Sequence, residues 1–378
     1  MRDRHTYKMD HEKCGAMSNG KKRRKRSRLR STILAWLLVM CIFAIIVLIV
    51  IALVMTIGEK SLRDKAQSSA PNMVVEEENN AENSAESNVV WQEGWVRYDG
   101  KIYAYNDDII TFLVMGIDKE DEVAESASGT DGGQSDAMFL VIVNPHEKEI
   151  NILAINRDTM TEIQMVGMGP DGTTVAGFAQ ITVQHGFGDG KEQSCELTRD
   201  AVSSLLYDLP IHGYVAVNMD AIPIINDTVG GVEVTVLEDL TWVSEKLKQG
   251  ERITLKGMDA YNYVRFRDEG VFESARGRLA RQQQYLSAFA QKLKDATKDD
   301  ITVPVKLYQE LSKYMVTDVT VDEVAYLAGQ LLDYSFSGDN VYTMEGETVQ
   351  GEIYEEFYPD TDALKELMLE LFYEEVEQ

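Results

Sequence analysis

The chain has 378 residues, 44% hydrophobic and 26% charged, with 37 Lys and Arg against 63 Asp and Glu for a formal net charge of -26. An apolar share of that size is ordinary for a folded domain with a substantial core and excludes a wholly disordered chain. The three cysteines, at 14, 41 and 195, exclude a scaffold held by disulfides.

In chain order, residues 1–30 hold twelve of the basic and three of the acidic residues and end in "KKRRKRSRLR"; the remainder carries 25 basic and 60 acidic ones. No helix-turn-helix or other base-reading unit fits in so short a segment, so nucleic acid is not an expected partner. The run precedes "ILAWLLVMCIFAIIVLIVIALVMTI", residues 33–57, in which Thr56 is the only clearly polar member. As a helix that stretch is roughly 37 Å long, against a hydrocarbon core of about 30 Å. We therefore expect a cytoplasmic basic tail over 1–32, one transmembrane helix over 33–57, and a single-pass cell-membrane protein whose C-terminal domain is extracellular. Cys195 is then alone outside, and no intrachain disulfide is possible there.

The segment "QSSAPNMVVEEENNAENSAESN" has little to bury and predicts a flexible linker over 58–94. Order begins at "WVRYDGKIYAY", where Asp99-Gly100 between aromatic-rich runs predicts a hairpin with a type I′ turn. Apolar runs predict strands at 109–116, 137–143 and 149–155, followed by a helix at 191–208, a strand at 213–218, a helix at 219–231, a strand at 232–236 and a helix at 274–296. This alternation predicts an α/β fold: one layered domain over 95–378, with a central mixed sheet flanked by helices and 301–378 as its closing segment.

If the first three strands run antiparallel in turn, Asp118, Asp136 and the pair Arg157-Asp158 fall on one rim of the sheet. Carboxylates gathered without His or Cys suit Mg²⁺ or Mn²⁺, which prefer oxygen ligands and share their shell with phosphate. The competing reading is that acidic residues punctuate strand ends, where substitution changes stability by only about 0.5 kcal/mol. The segment "YVRFRDEGVFESARGRLARQQ" then carries five of the ten arginines that follow residue 58. If its start is extended, Arg265 and Arg267 share a side, while Arg278 and Arg281 share a helix face and Arg276 points away. Guanidinium forks suit phosphate oxygens; the alternative is a solvated face pairing with the many acids.

The stretches "FLVMGIDK", "SDAMFLVIVNP", "INRDTM", "TVGGVEV", "GMDAYNYVRFRDE" and "GRLARQQ", in this order over about residues 109–296, resemble the LytR-CpsA-Psr (LCP) family of Gram-positive cell walls. The resemblance implies a phosphotransferase that moves a glycopolymer, a teichoic acid or a capsular or wall polysaccharide, from a polyprenyl-pyrophosphate carrier to peptidoglycan, forming a phosphodiester. It implies Asp118 and Asp136 as ligands of Mg²⁺ or Mn²⁺, Arg157, Asp158, Arg265 and Arg267 as catalytic residues, and Arg278, Arg281 and Gln282 as substrate-binding residues. It also implies membrane lipid as a partner, with an apolar tunnel between sheet and helices for the polyprenyl tail. Departures from the family pattern are Asn156 in place of the usual Pro, a longer loop between Asp118 and Asp136, and "QITVQHGFGDG" where a lysine is usual, which brings in His185. A non-catalytic regulator that holds lipid-linked polymer, and a pyrophosphatase that uses water as acceptor, need the same clamp and remain alternatives.

Overall fold

The structure is a computed structural model that describes residues 49–50, 52–62, 64–65, 70–73, 91–126, 130–268 and 270–376. Residues 57–378 form one unit, separate from residues 1–56. Strands β1 (Trp95–Tyr98) and β2 (Lys101–Tyr105) make the expected hairpin, with Asp99 and Gly100 at φ of 49° and 74° as a type I′ turn requires. Then come β3 (Ile110–Ile117), β4 (Ser135–Asn144) and β5 (Glu149–Ile155), each antiparallel to the one before it. A ribbon of β6 (Met160–Met165) and β7 (Val175–Gln180) follows, then helix α1 (Glu192–Leu205), β8 (Gly213–Asn218) and α2 (Ala221–Thr228). Strands β9 (Val232–Thr235) and β10 (Arg252–Leu255) pair with each other and lead to α3 (Met258–Arg265) and α4 (Ser274–Asp299). The closing segment supplies α5 (Val303–Leu311), β11 (Met315–Thr317), α6 (Val321–Leu331), β12 (Val341–Thr343), the hairpin β13 (Gly346–Gln350) and β14 (Glu355–Pro359), α7 (Thr361–Phe372) and β15 (Tyr373–Glu375).

The central sheet has the order β11-β8-β3-β4-β5-β12, with β8 parallel to β3 and β12 parallel to β5. It is the expected mixed sheet, and the pleat divides its side chains between two layers. Leu113, Met115, Leu140 and Leu153 pack with Cys195 and Val202 of α1 and Met368 and Phe372 of α7. On the opposite face Phe139, Ile152 and Ala154 meet Leu279 and Leu286 of α4. Burial on both sides explains why these strands read as unbroken apolar runs. The expected strand 232–236 is not part of this sheet; it belongs to the separate β9-β10 ribbon.

The transmembrane helix expected over 33–57 is not found: among the described residues no helix is long and apolar enough to cross a membrane. Residues 1–48 and 51 lie outside the described residues, and with them the expected basic tail. What is described of the apolar run continues as helix over 52–62, past its expected end into Gly58, Glu59, Lys60 and Ser61, where charge ends its apolar character. The expected single-pass, cell-membrane placement with a cytoplasmic N-terminus lacks, among the described residues, the helix it would need.

The start of the expected linker is also part of the fold. Leu62 is fully buried with Phe112, Val143, Val319 and Tyr334. Ser61 Oγ and Lys65 Nζ donate to the buried Glu323 carboxylate at 2.7 and 3.1 Å, and Lys65 also donates to Asp318 O at 3.0 Å. Residues 74–90 lie outside the described residues. Leu62→Ala should therefore cost about 2–5 kcal/mol in denaturant unfolding, the penalty for emptying a core site; a change under about 0.5 kcal/mol, typical of exposed positions, would restore the tether reading.

Candidate active site

The antiparallel order of β3, β4 and β5 brings Asp118, Asp136 and Arg157 to one rim. Asp136 is shared between two guanidiniums: its Oδ1 accepts from Arg157 Nη1 and its Oδ2 from Arg278 Nη1, the latter at 3.0 Å. Arg157 Nη2 also donates to Gln134 Oε1 at 2.7 Å. Arg278 enters from the first turns of α4 and is buried. Loss of water pushes its pKa down to about 10, with Asp136 working against the fall and Arg157 and Arg267 adding to it. Arg267, just beyond α3, donates to Ser274 Oγ at 3.2 Å. Among the described residues, Arg278 Nη2, Arg267 Nε and Arg157 Nε are buried N–H groups with no hydrogen-bond partner. Donors of this kind are costly unless an acceptor meets them.

The carboxylates have different surroundings. Burial pushes the Asp118 carboxyl up; its Oδ1 accepts from the Gln134 N–H, which opposes the rise, and the charge of Asp136 adds to it. Asp158 is buried, accepts from Gln180 Nε2 at 2.8 Å and lies 3.4 Å from Arg157 Nε. Burial raises its pKa too, against the pull of Arg157, Arg267 and Arg278.

Other expected residues stand elsewhere. Residues 263–267 are not one extended segment: Ala260, Tyr261, Tyr263 and Val264 recur at helical spacing and are buried, so α3 runs through Arg265 and the chain extends only at Phe266. Arg265 therefore pairs with Glu120 at 3.0 Å and lies 5.1 Å above the Tyr261 ring. Arg281 is fully buried and donates from Nη1 to Tyr263 O and from Nη2 to Phe266 O, while its Nε lies 3.2 Å from Glu238 Oε2. Gln282 Nε2 donates to Val264 O at 3.1 Å. Both side chains thus satisfy carbonyls at the C-terminal end of α3, which a helix leaves without internal partners; they hold the Phe266-Arg267 turn in place. Arg276 is largely exposed, 3.8 Å from Glu273. His185 is buried below the loop after β3, with Nδ1 2.9 Å from Gly132 O and Nε2 3.9 Å from Cys195 Sγ, and burial lowers its pKa. It fixes that loop to α1.

The sequence reading missed Gln134, Gln180 and Ser274. Gln134 had a signal, since it lies two residues before Asp136 and alternation places both on the same side of an extended chain. Gln180 and Ser274 had none, because what brings them in is the β6-β7 ribbon and the start of α4.

Among the described residues no group of three or more His, Cys, Asp or Glu side chains gathers to hold a metal. Asp118 and Asp136 nevertheless form an all-oxygen pair whose repulsion a cation would relieve, and Mg²⁺ asks the protein for only one or two carboxylates when phosphate and water complete its shell. Such an ion would share the Asp136 oxygens with Arg157 and Arg278.

The sequence model of the LytR_cpsA_psr family matches residues 65–371. An Oceanobacillus iheyensis protein named polyisoprenyl-teichoic acid--peptidoglycan teichoic acid transferase TagU is 30% identical over 248 residues, covering 65% of this chain and 70% of that one. A Bacillus licheniformis protein of the same name is 29% identical over 229 residues, covering 60% and 65%. The matched stretch thus spans about two thirds of these relatives' length. The crystal structure of Bacillus subtilis TagV has the same fold, with a TM-score of 0.53 at 23% identity over 70% of this chain and 95% of that chain.

Two outcomes follow from the geometry. Asp136→Ala should cost about 3–5 kcal/mol in denaturant unfolding, because it leaves the buried Arg278 without its carboxylate and takes one of Arg157's partners; a loss of about 0.5 kcal/mol, typical of a strand-end residue, would contradict the shared-carboxylate arrangement. For Asp118 the folded pKa is raised, so its contribution to stability is fully present below the unfolded value of about 3.9 and is lost as pH rises through the folded one. Melting temperature measured across that window should fall more for the wild type than for Asp118→Asn, and parallel curves would contradict it.

Proposed function

The chain belongs to the LytR-CpsA-Psr family, and from that premise we propose that it is a phosphotransferase moving a glycopolymer from a polyprenyl-pyrophosphate carrier to peptidoglycan. The observation that carries this reading is the pairing of Arg157 and Arg278 on Asp136 with Arg267 beside them, with three buried guanidinium N–H groups unspent, one on each arginine. A pyrophosphate offers the acceptor oxygens such donors want, in planar pairs that match the guanidinium fork. The names of the TagU relatives, which act on teichoic acid and peptidoglycan, support a polymer of teichoic or related wall type.

In this reading Arg157, Arg267 and Arg278 bind and orient the two phosphates. A hydroxyl of the acceptor sugar attacks the phosphorus next to the donor sugar, the bond to the bridging oxygen breaks, and polyprenyl phosphate leaves, taking up overall the proton that the hydroxyl gives up. Its charge develops beside three guanidiniums already held in a water-poor site, which lowers the barrier without new reorganisation. The Asp158 carboxylate lies 3.4 Å from Arg157 Nε and draws that guanidinium by charge, while Gln180 donates to Asp158. Asp118 and Asp136 would hold Mg²⁺ or Mn²⁺, which would supply further neutralisation of phosphate charge. The polyprenyl chain is assigned to the side of α4 that meets the sheet through Leu279 and Leu286; Phe336 and Val341, in the same apolar cluster, also border a cavity of about 600 Å³ beside Ala280, Ser287 and Ala288.

The test is to incubate the purified chain with lipid-pyrophosphate-linked sugar, peptidoglycan oligomer and Mg²⁺. A phosphodiester-linked product is expected, and Arg157→Ala or Arg278→Ala should lower its rate roughly ten- to hundredfold, about 1.5–3 kcal/mol for each set of charge-assisted contacts. Carrier binding without product would leave the holding protein, and release of sugar phosphate to water would leave the pyrophosphatase.

A further inference from the structure

The loop between β9 and β10 holds an indole out to solvent. Trp242 is 60% exposed although its surroundings are rigid. Leu240 and Leu247 on either side are buried and joined by a backbone hydrogen bond of 2.9 Å. Ser244 and Lys246 both bond to Asp259 of α3, at 3.0 and 2.7 Å, and Glu238 reaches the buried Arg281. The Trp242 ring meets Phe266 edge to face at 6.0 Å, and Phe266 meets Tyr261 in the same way at 6.3 Å. Arg265 lies over Tyr261 and Phe266 and bonds to Glu120. An aromatic platform is thus flanked by an accessible guanidinium and an accessible carboxylate. Phe266 lies between Arg265 and Arg267, and Glu120 is two residues past Asp118, so the platform adjoins the phosphate clamp.

We propose that Trp242, Phe266, Arg265 and Glu120 form a subsite for a pyranose ring of the acceptor glycan. A pyranose presents a face of C–H groups that packs on an aromatic ring, and a rim of hydroxyls that need both donors and acceptors. Arg265 supplies the donors and Glu120 the acceptor, 3.0 Å apart. The choice of acceptor over donor rests on the phosphotransfer reading and on in-line geometry. The attacking hydroxyl must approach opposite the leaving group. Leaving polyprenyl phosphate departs toward the seam along α4, so the attacker enters from the Asp118 and Glu120 side, where the platform lies. Arg265 then serves the sugar, which explains why it is paired with Glu120 instead of facing Asp136.

The experiment is calorimetric titration of the full chain with three probes, an oligomer of alternating N-acetylglucosamine and N-acetylmuramic acid, inorganic pyrophosphate, and a lipid-pyrophosphate-linked sugar. Trp242→Ala should weaken the glycan about tenfold while Trp242→Phe keeps most of the affinity, and both should bind pyrophosphate as the wild type does. Equal melting temperatures for the three proteins would exclude a folding defect. Glycan affinity unchanged in Trp242→Ala, or no glycan binding by the wild type, overturns the subsite and leaves the phosphotransfer reading standing. A wild type that binds glycan through Trp242 but no pyrophosphate overturns the phosphotransfer reading instead. If Trp242→Ala loses the lipid-linked donor and keeps the glycan, the assignment to the acceptor is wrong.

Discussion

One carboxylate holds the site together. Asp136 has an arginine on each oxygen, one from the end of β5 and one from α4, so a single side chain joins two strands of the sheet to the helix that covers it. Removing charges from water is expensive, and attraction offsets that only where geometry is good and the remaining donors find partners. Here the geometry is met on the carboxylate side and left open on the guanidinium side. That asymmetry suits a protein waiting for an anion: the carboxylate keeps the arginines from repelling one another apart, and the unspent N–H groups face a ligand's demand. It also explains how a chain with a net charge of -26 keeps one locally cationic place.

The five clustered arginines serve four different ends. Arg267 and Arg278 belong to the clamp, Arg281 ends α3, Arg265 sits on aromatic rings beside Glu120, and Arg276 lies in solvent. Sequence proximity produced the cluster, but burial and direction sorted it. Arg281 also bears on the clamp without facing it, because its bonds to Tyr263 O and Phe266 O fix where the chain leaves α3 and hence where Arg267 begins.

Much of this was legible beforehand. Long apolar runs and a short turn between the second and third strands predict that pair as antiparallel, which puts Asp136 and Arg157 on one rim; the direction of the first strand was left open, and its antiparallel course brings Asp118 to them. The hairpin at Asp99-Gly100 was equally readable, because few other residue pairs accept positive φ twice. What failed did so for physical reasons. The start of the arginine segment alternates on paper, yet Tyr261, Tyr263 and Val264 also fit a helix, and tertiary burial chose the helix. The stretch after residue 57 looked like tether because one buried leucine among polar neighbours gives no periodic signal; its burial comes from Phe112, Val143 and Val319, distant in sequence. The membrane helix was inferred from hydropathy alone, and no described helix meets that length and apolarity.

The chain's last strand pairs with almost its first: β15 joins β2, and both outer strands of the central sheet, β11 and β12, also come from beyond residue 300. A growing chain therefore cannot complete this domain piecemeal. Until residues 315–375 emerge, β2, β5 and β8 each present an open edge to whatever strand comes by, and joining segments so far apart makes closure slow. Such a nascent chain depends on being shielded, by a chaperone or by prompt delivery, more than a domain whose neighbours in sequence are neighbours in space.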